Sequence, residues 1–177
     1  MLTKAFVPYK GYWSSPFSRW QGSLQNADSV KLAAATTKKF FELRGFTPDM
    51  FDGIVYGSTI PQAWWFYDAP HYATLMGNPE ISGPRMAQAC ATSTVSVNYA
   101  ANSIEAGANE ILLVATTDRM SNGPNILWPN SNGPGGKPDF ESWVIDGFGW
   151  DPAAETFPDD PAAVRKLKRA MRGNWHV

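Results

Sequence analysis

The sequence predicts an α/β fold in which a mostly parallel sheet is layered with helices. Three observations predict it: short apolar runs bounded by glycine, segments with apolar residues at helical spacing, and the regular alternation of the two. Over residues 1–117 the order is strand, helix, strand, helix, strand, helix, strand. Such alternation favours parallel strands joined by crossover helices.

Composition supports a globular domain and excludes several classes of partner. The 177 residues are 44% hydrophobic, 14% aromatic and 18% charged, which is enough for a substantial core. A net charge of −1 gives no bulk attraction to nucleic acid or to an anionic membrane, so neither is expected as a partner. The apolar runs, such as residues 111–117, are far too short to span a bilayer, and the N-terminus lacks the apolar stretch of a secretory signal. The single cysteine excludes an intramolecular disulfide and favours a cytoplasmic location.

Local signals in the first half predict two strands around one helix. Residues 4–8 are expected to form the first strand, and residues 9–25, rich in Ser, Gly and aromatics, a loop. Asp28 or Ser29 is suited to cap the helix that follows, and Gly45 to end it. Residues 53–57, bounded by glycines, are typical of a buried strand.

The second half continues the alternation. A helix is expected from about residue 69 to 76, an extended segment over 81–87, and a second helix over 93–106. Residues 110–115 contain an uninterrupted apolar run of the kind found in the middle of a parallel sheet.

The character of the sequence changes after residue 117. Residues 118–150 are rich in Gly, Pro and Asn, and residues 151–177 form a different tail that ends in a basic run. Eight Trp and fourteen Pro concentrate in segments that read as loops, and long structured loops usually serve a site or an interface.

Cys90 is the candidate nucleophile. It lies between an extended segment and a helix whose first turn is small and polar. Unpaired N–H groups and the partial positive charge at a helix N-terminus stabilise a thiolate, and they can bind the oxyanion of an attacked carbonyl. The alternative is that Cys90 is a small buried hydrophobic residue, as free cysteines commonly are.

Five segments, in order and at the right spacing between about residues 6 and 152, resemble thiolases. The nucleophile segment Gln88-Ala89-Cys90-Ala91-Thr92-Ser93, with the helix and strand that follow it, carries the resemblance most strongly. The others are Ser15-Pro16-Phe17-Ser18-Arg19-Trp20-Gln21-Gly22-Ser23-Leu24, Asp52-Gly53-Ile54-Val55-Tyr56-Gly57, Asp118-Arg119-Met120-Ser121-Asn122-Gly123-Pro124 and Phe148-Gly149-Trp150-Asp151-Pro152.

The resemblance implies a thiolase N-terminal α/β core over 1–117, the start of an inserted loop domain over 118–150, and a non-matching tail over 151–177. It implies that Cys90 takes an acyl group from acyl-CoA as a thioester, with its backbone N–H in an oxyanion hole. The implied reaction is thiolysis of a 3-ketoacyl-CoA by coenzyme A or, in the opposite direction, Claisen condensation of two acyl-CoAs, in lipid metabolism. Coenzyme A thioesters would be substrates, with no permanent cofactor or metal. Relatives are generally dimers or tetramers, so a homodimer, or a partner that supplies a C-terminal thiolase domain, is expected.

Two substitutions depart from the family pattern near the cysteine. Ala87 replaces the usual Asn or Ser, and Ser93-Thr94 replaces Ser-Gly. The altered motif therefore does not specify which acyl chain is transferred. The aromatic run at residues 64–67 replaces a Gln-Asn-Pro-Ala-Arg segment; it could line an acyl pocket, but dimer packing is favoured. His71 beside it is interpreted as structural or interfacial.

A further departure from the family pattern concerns the residues that would complete catalysis. Thiolases use a histidine and a Cys-x-Gly motif from their C-terminal half, whereas this sequence has one cysteine and, besides His71, only His176. We therefore expect a truncated copy, or a half that needs a partner supplying a C-terminal domain, and an isolated chain that associates or aggregates. The alternatives are a non-catalytic thiolase-like subunit or acyl-CoA-binding module and, less favoured, an unrelated cysteine hydrolase that uses His71.

Overall fold

The computed structural model describes residues 2–60, 62 and 65–123. They form three α-helices and three strands: α1 (Ser29–Arg44), β1 (Gly53–Gly57), α2 (Asp68–Met76), β2 (Arg85–Met86), α3 (Thr92–Glu105) and β3 (Leu112–Thr116). Three short 3-10 turns lie at Pro48–Met50, Trp65–Tyr67 and Ala89–Ala91. Among these residues, no helix combines the length and apolar character that crossing a membrane requires.

The three strands form one parallel sheet in the order β2-β1-β3. Tyr56 pairs with Arg85 on one side of β1, while Gly53 pairs with Leu112 on the other. Parallel strands that follow one another in the chain need crossover connections, and α2 and α3 provide them. The α/β fold class predicted from the alternation is therefore confirmed.

Helix α1 has the boundaries that its end residues predict. The Asp28 side chain accepts a hydrogen bond from the Lys31 N–H at 3.0 Å, which satisfies one of the free donors of the first turn. Gly45 follows the helix with φ of 73°, and its N–H donates to the Phe41 carbonyl at 2.8 Å. A left-handed residue at this position favours glycine, so the sequence signal and the observed helix end agree.

Helices cover both faces of the sheet. The side chains of each strand alternate between the two faces. Ile54, Tyr56, Leu113 and Ala115 point into one apolar core with residues of α1 and α2. Gly57 lies on the opposite face, where an added Cβ would come within 2.9 Å of Thr92 Cγ2 on α3. The domain therefore has three layers, with α1 and α2 on one side of the sheet and α3 on the other.

The expected first strand at residues 4–8 is wrong: these residues form no strand. The N–H groups of Thr3, Lys4 and Ala5 instead donate to Glu105 Oε1 at 2.6, 2.6 and 2.9 Å. A strand needs its N–H groups for a neighbouring strand, and here a carboxylate at the end of α3 accepts hydrogen bonds from two of them, those of Lys4 and Ala5.

The apolar run at residues 110–115 forms a strand, as predicted, and among the described residues this strand is not the central one of the sheet. The strand spans Leu112–Thr116 and lies at an edge, while β1 is central. All five residues of β1 are buried, whereas β3 alternates between buried and more exposed positions. An apolar run alone does not distinguish these two locations. The predicted regions 118–150 and 151–177 fall outside the described residues, except for residues 118–123.

Candidate functional site

Cys90 lies where the sequence predicts it, on a turn between β2 and α3. The turn comprises residues 87–91, and Cys90 occupies the middle of its 3-10 segment, two residues before the first residue of α3. All five residues of the turn are exposed, including Cys90. The interpretation of Cys90 as a small buried hydrophobic residue does not fit this exposure.

The turn is held on its helix side by Thr92. The Thr92 Oγ1 atom accepts from the Gln88 N–H and donates to the Ala89 carbonyl, both at 2.8 Å. Thr92 is buried, and between these two hydrogen bonds Ala89 adopts φ of 46°. An alanine in the left-handed region is strained, and such strain persists only where the surroundings enforce it. Thr92 is thus a local determinant of the backbone beside Cys90.

A second set of polar contacts lies at the same edge of the sheet, because the carboxyl ends of parallel strands meet there. Asp118, which follows β3, accepts hydrogen bonds from the chain that follows β1. The donors are the N–H groups of Thr59 and Ile60, both at 2.8 Å, and the hydroxyls of Thr59 at 2.7 Å and Ser58 at 3.2 Å. One carboxylate therefore fixes the start of the segment that leads to the aromatic run.

A buried ion pair connects β2 with α2. Arg85 Nε donates to Asp68 Oδ2 at 2.8 Å, and Arg85 Nη2 donates to the Ser58 carbonyl at 2.7 Å. The Asp68 side chain is only 3% exposed. Burial raises the pKa of Asp68 above its ordinary value, while the hydrogen bond and positive charge of Arg85 act in the opposite direction. Tyr56 is buried nearby, and burial followed by the charge of Asp68 raises the pKa of its hydroxyl.

Sequence reasoning identified Cys90 but missed Thr92, Asp118 and the Arg85–Asp68 pair. The sequence does contain a signal for the pairing of Arg85. This residue is charged and lies in the otherwise small and apolar segment Gly83-Pro84-Arg85-Met86. Charges in such settings are usually paired. No comparable local signal marks the partners, because Arg85 and Asp68 are 17 residues apart.

The other candidate residues from the sequence are the two histidines and the aromatic run, and the structure shows no site built around them in the residues that it describes. His71 is half-buried on α2, and its Nε2 is buried without a hydrogen-bond partner in the structure. Phe66 and Tyr67, the described side chains of the aromatic run, are 75% and 67% exposed. His176 and Trp64 lie outside the described residues. Within residues 2–60, 62 and 65–123, no group of three His, Cys, Asp or Glu side chains could hold a metal.

The layered fold and the exposed cysteine ahead of α3 define an α/β protein with its cysteine at the carboxyl edge of its sheet. The family model for the thiolase N-terminal domain matches residues 13–134 of the sequence. This match covers more than half of the chain, so the chain belongs to the thiolase family. The family resemblance drawn from the motifs around Cys90 is therefore confirmed.

Known proteins with a related sequence or structure agree. The cytosolic acetyl-CoA acetyltransferase of Gibberella zeae is 25% identical over 151 residues, which cover 85% of this chain but 37% of that protein. The structure of the Syntrophomonas wolfei acetyl-CoA acetyltransferase matches 74% of this chain and 33% of its own length, with a TM-score of 0.63 and 22% identity. Human mitochondrial 3-ketoacyl-CoA thiolase in complex with CoA matches 88% of this chain and 40% of its own length, with a TM-score of 0.63 and 18% identity.

These structural likenesses confirm the thiolase-type α/β N-terminal fold. The chain spans little more than a third of the length of the curated relative that it matches.

Proposed function

We propose that Cys90 accepts an acyl group from a coenzyme A thioester, so that this chain carries the nucleophile of a thiolase-type acyltransferase. The observation that carries this proposal is the exposed position of Cys90, on the turn before α3 of a thiolase-family domain. In the step, the Cys90 thiolate attacks the thioester carbonyl. A bond forms between Sγ and the acyl carbon, and the bond to the coenzyme A sulfur breaks to release coenzyme A thiolate.

The surroundings of Cys90 suit such a step. The small side chains of the exposed turn, Ala87, Ala89 and Ala91, leave room for a bulky thioester. Helix α3 begins at Thr92 and runs for 14 residues, so the positive end of its dipole is directed to this turn. The Cys90 backbone N–H is our candidate for one oxyanion donor, as the resemblance to thiolases implies.

The full reaction needs groups beyond those described. We propose thiolysis of a 3-ketoacyl-CoA by coenzyme A or, in the opposite direction, Claisen condensation of two acyl-CoAs, with coenzyme A and its thioesters as substrates and no resident cofactor. The activating histidine and second cysteine would come from further residues or from a partner subunit that supplies them. Residues 1–117 would form the nucleophile core and 118–150 the start of a loop domain, in a cytoplasmic protein of lipid metabolism.

A homodimer is the association that we propose. Apolar side chains on α3 support it, because Val97 and Tyr99 remain 47% and 43% exposed. Exposed apolar side chains on one helix are suited to contact another subunit or domain.

A non-catalytic subunit that binds acyl-CoA is the second candidate. It is favoured by the state of His71, the histidine in the described part of the chain, whose buried Nε2 makes no hydrogen bond. His71 Nε2 therefore activates no thiol in this structure, and a chain that binds a thioester without such activation would not turn it over.

Intact-mass spectrometry after incubation with acetyl-CoA and longer acyl-CoAs tests the first candidate. The expected result is a single acyl adduct, mapped to Cys90 by peptide analysis, absent in Cys90→Ser and removed by added coenzyme A. An unmodified protein whose Cys90 still reacts with iodoacetamide would contradict acyl transfer. Saturable binding of acyl-CoA by calorimetry, without an adduct, would instead support the binding module.

A further inference from the structure

On its strand side, the turn that carries Cys90 is joined to the sheet by a main-chain hydrogen bond. The Ser58 N–H donates to the Met86 carbonyl at 3.0 Å, directly before the turn. In the part of the chain that the structure describes, the main-chain hydrogen bonds between this segment and β1 end there. From Ala87 onward the chain is exposed until Thr92. The contacts that the structure describes for this turn lie at its two ends, near Met86 and at Thr92.

Arg85 fixes the strand end with its side chain. Its guanidinium donates to the Ser58 carbonyl at 2.7 Å, while the Ser58 N–H is bonded to the residue after Arg85. Ser58 is therefore bound to the β2 segment through both of its main-chain groups. A guanidinium presents its donors in a rigid planar fork, so one side chain can hold two acceptors at a fixed separation.

The second acceptor of the fork is Asp68, the first residue of α2. Its side chain is 3% exposed and accepts from Arg85 Nε at 2.8 Å. Its other oxygen, Oδ1, is buried without a hydrogen-bond partner, as is the Tyr56 hydroxyl on β1. Arg85 is thus the group that compensates a buried carboxylate, and the carboxylate in turn restricts where the guanidinium can lie.

We propose that Arg85 is a positioning residue for the turn that carries Cys90, acting through its simultaneous bonds to Asp68 and to the Ser58 carbonyl. This proposal rests on the proposed role of Cys90 in acyl transfer. Arg85 itself does not touch the acyl group. It holds the strand end of the turn at a fixed distance from α2 and β1, so that the sulfur and the oxyanion donors keep one arrangement.

Hydrogen–deuterium exchange of Arg85→Lys tests the positioning directly. A lysine keeps the positive charge beside Asp68 but has no planar fork to hold both acceptors. A lysine that stays beside Asp68 therefore loses the charge-assisted hydrogen bond to the Ser58 carbonyl. We expect exchange in peptides covering residues 87–92 to rise about tenfold, because a hydrogen bond to a charged group is stronger than a neutral one. Exchange in α1 (Ser29–Arg44) should stay at the wild-type rate. Arg44→Lys, an exposed arginine at the end of α1, is the matched control.

Acylation of Cys90 measured on the same variants connects positioning with chemistry. Arg85→Lys should slow acylation by about tenfold to a hundredfold, because small displacements of reacting groups are costly. Alkylation by iodoacetamide, which needs little orientation, should change less. If Arg85→Lys does not fold, the double variant Asp68→Asn/Arg85→Gln removes both charges of the buried pair together, and the turn still loses the two hydrogen bonds of Arg85.

Each outcome decides the proposal. Wild-type exchange at residues 87–92 in Arg85→Lys and in the double variant would overturn it. An equal rise in α1 would also overturn it, since that pattern indicates lower global stability alone. If wild-type protein forms no acyl adduct, the proposed function fails, and the exchange rates still decide whether Arg85 positions the turn.

Discussion

The two faces of the sheet are built from different kinds of residue. The face toward α1 and α2 is packed with aromatic side chains; Phe41 stacks on Phe51 with ring centroids 5.2 Å apart, and Trp13 stacks on Phe40 at 4.7 Å. The buried residues of α3 on the other face are a threonine, a serine and an alanine: Thr92, Ser96 and Ala100.

The two faces therefore contribute differently: one to the stability of the domain, the other to the location of α3 and Cys90. Burial of large apolar side chains provides most of the free energy of folding, so the aromatic face should dominate the stability of the domain. Small residues provide less, but they let the α3 backbone approach β1 closely. The small side chains of Thr92 and Ser96 lie close to β1 at Gly57, and this contact locates the start of α3 and with it Cys90.

The largest expected effect is on the aromatic face. Phe41→Ala removes a side chain that is 4% exposed and leaves a cavity among neighbouring rings. The free energy of unfolding should fall by about 3–5 kcal/mol, measured by urea denaturation. Phe17→Ala, at a side chain that is 97% exposed, is the control and should change it by less than about 0.5 kcal/mol. Similar losses in the two variants would contradict the assignment of the core to this face.

A smaller loss of stability, with a specific effect at Cys90, is expected on the α3 face. In Gly57→Ala the new Cβ would lie 2.6 Å from Thr116 Cγ2 and 2.9 Å from Thr92 Cγ2. Overpacking of this kind costs about 1–3 kcal/mol, and it pushes Thr92 and the turn beside it. The rate of Cys90 alkylation should therefore change along with the unfolding free energy.

Gly45→Ala is the matched control for that variant. Nothing lies within 4 Å of its added Cβ, so its cost is left-handed backbone strain alone, about 1–2 kcal/mol. It should lower stability to a similar degree while leaving the alkylation rate of Cys90 unchanged. Equal alkylation rates in Gly57→Ala and Gly45→Ala would show that the α3 face does not determine the cysteine position.

The smallest effect concerns the far end of α3. Hydrogen bonds from the N–H groups of Ala5, Lys4 and Thr3 lower the pKa of Glu105 to about 2, from an ordinary value of 4.5. Because the folded pKa is lowered, the contribution of Glu105 is complete above the unfolded pKa and is lost as pH falls through about 2. The amide NMR signals of residues 3–5 should follow this transition.

Two variants separate Glu105 from the rest of the surface charge. Glu105→Gln should abolish the titration of these amides, whereas Glu42→Gln, on the exposed surface of α1, should leave its midpoint in place. A midpoint near 4.5 in the wild-type protein would mean that the N-terminal segment does not bind Glu105 in solution.

What the sequence could predict depended on how local each signal was. Helix α1 and strand β1 were predictable because caps, apolar spacing and flanking glycines all lie within the element itself. The place of Cys90 between strand and helix was predictable for the same reason.

Contacts between distant positions were not predictable. The Asp118 carboxylate binds residues about 60 positions earlier, and Glu105 binds residues about 100 positions earlier. The order of the strands depends on which edges meet, and no period in the sequence encodes it. The same limit explains why residues 4–8 were expected to pair as a strand.

The chain has one cysteine, and the structure places it on an exposed turn. A maleimide dye or a nitroxide spin label would therefore attach at a single known position without any engineered substitution. The label would lie just before the amino end of α3. This junction is held by the contacts of α3 with β1, by the Thr92 hydrogen bonds and, on the strand side, by the Arg85 guanidinium. Its rotational freedom would measure, in the native sequence, how tightly this junction is held.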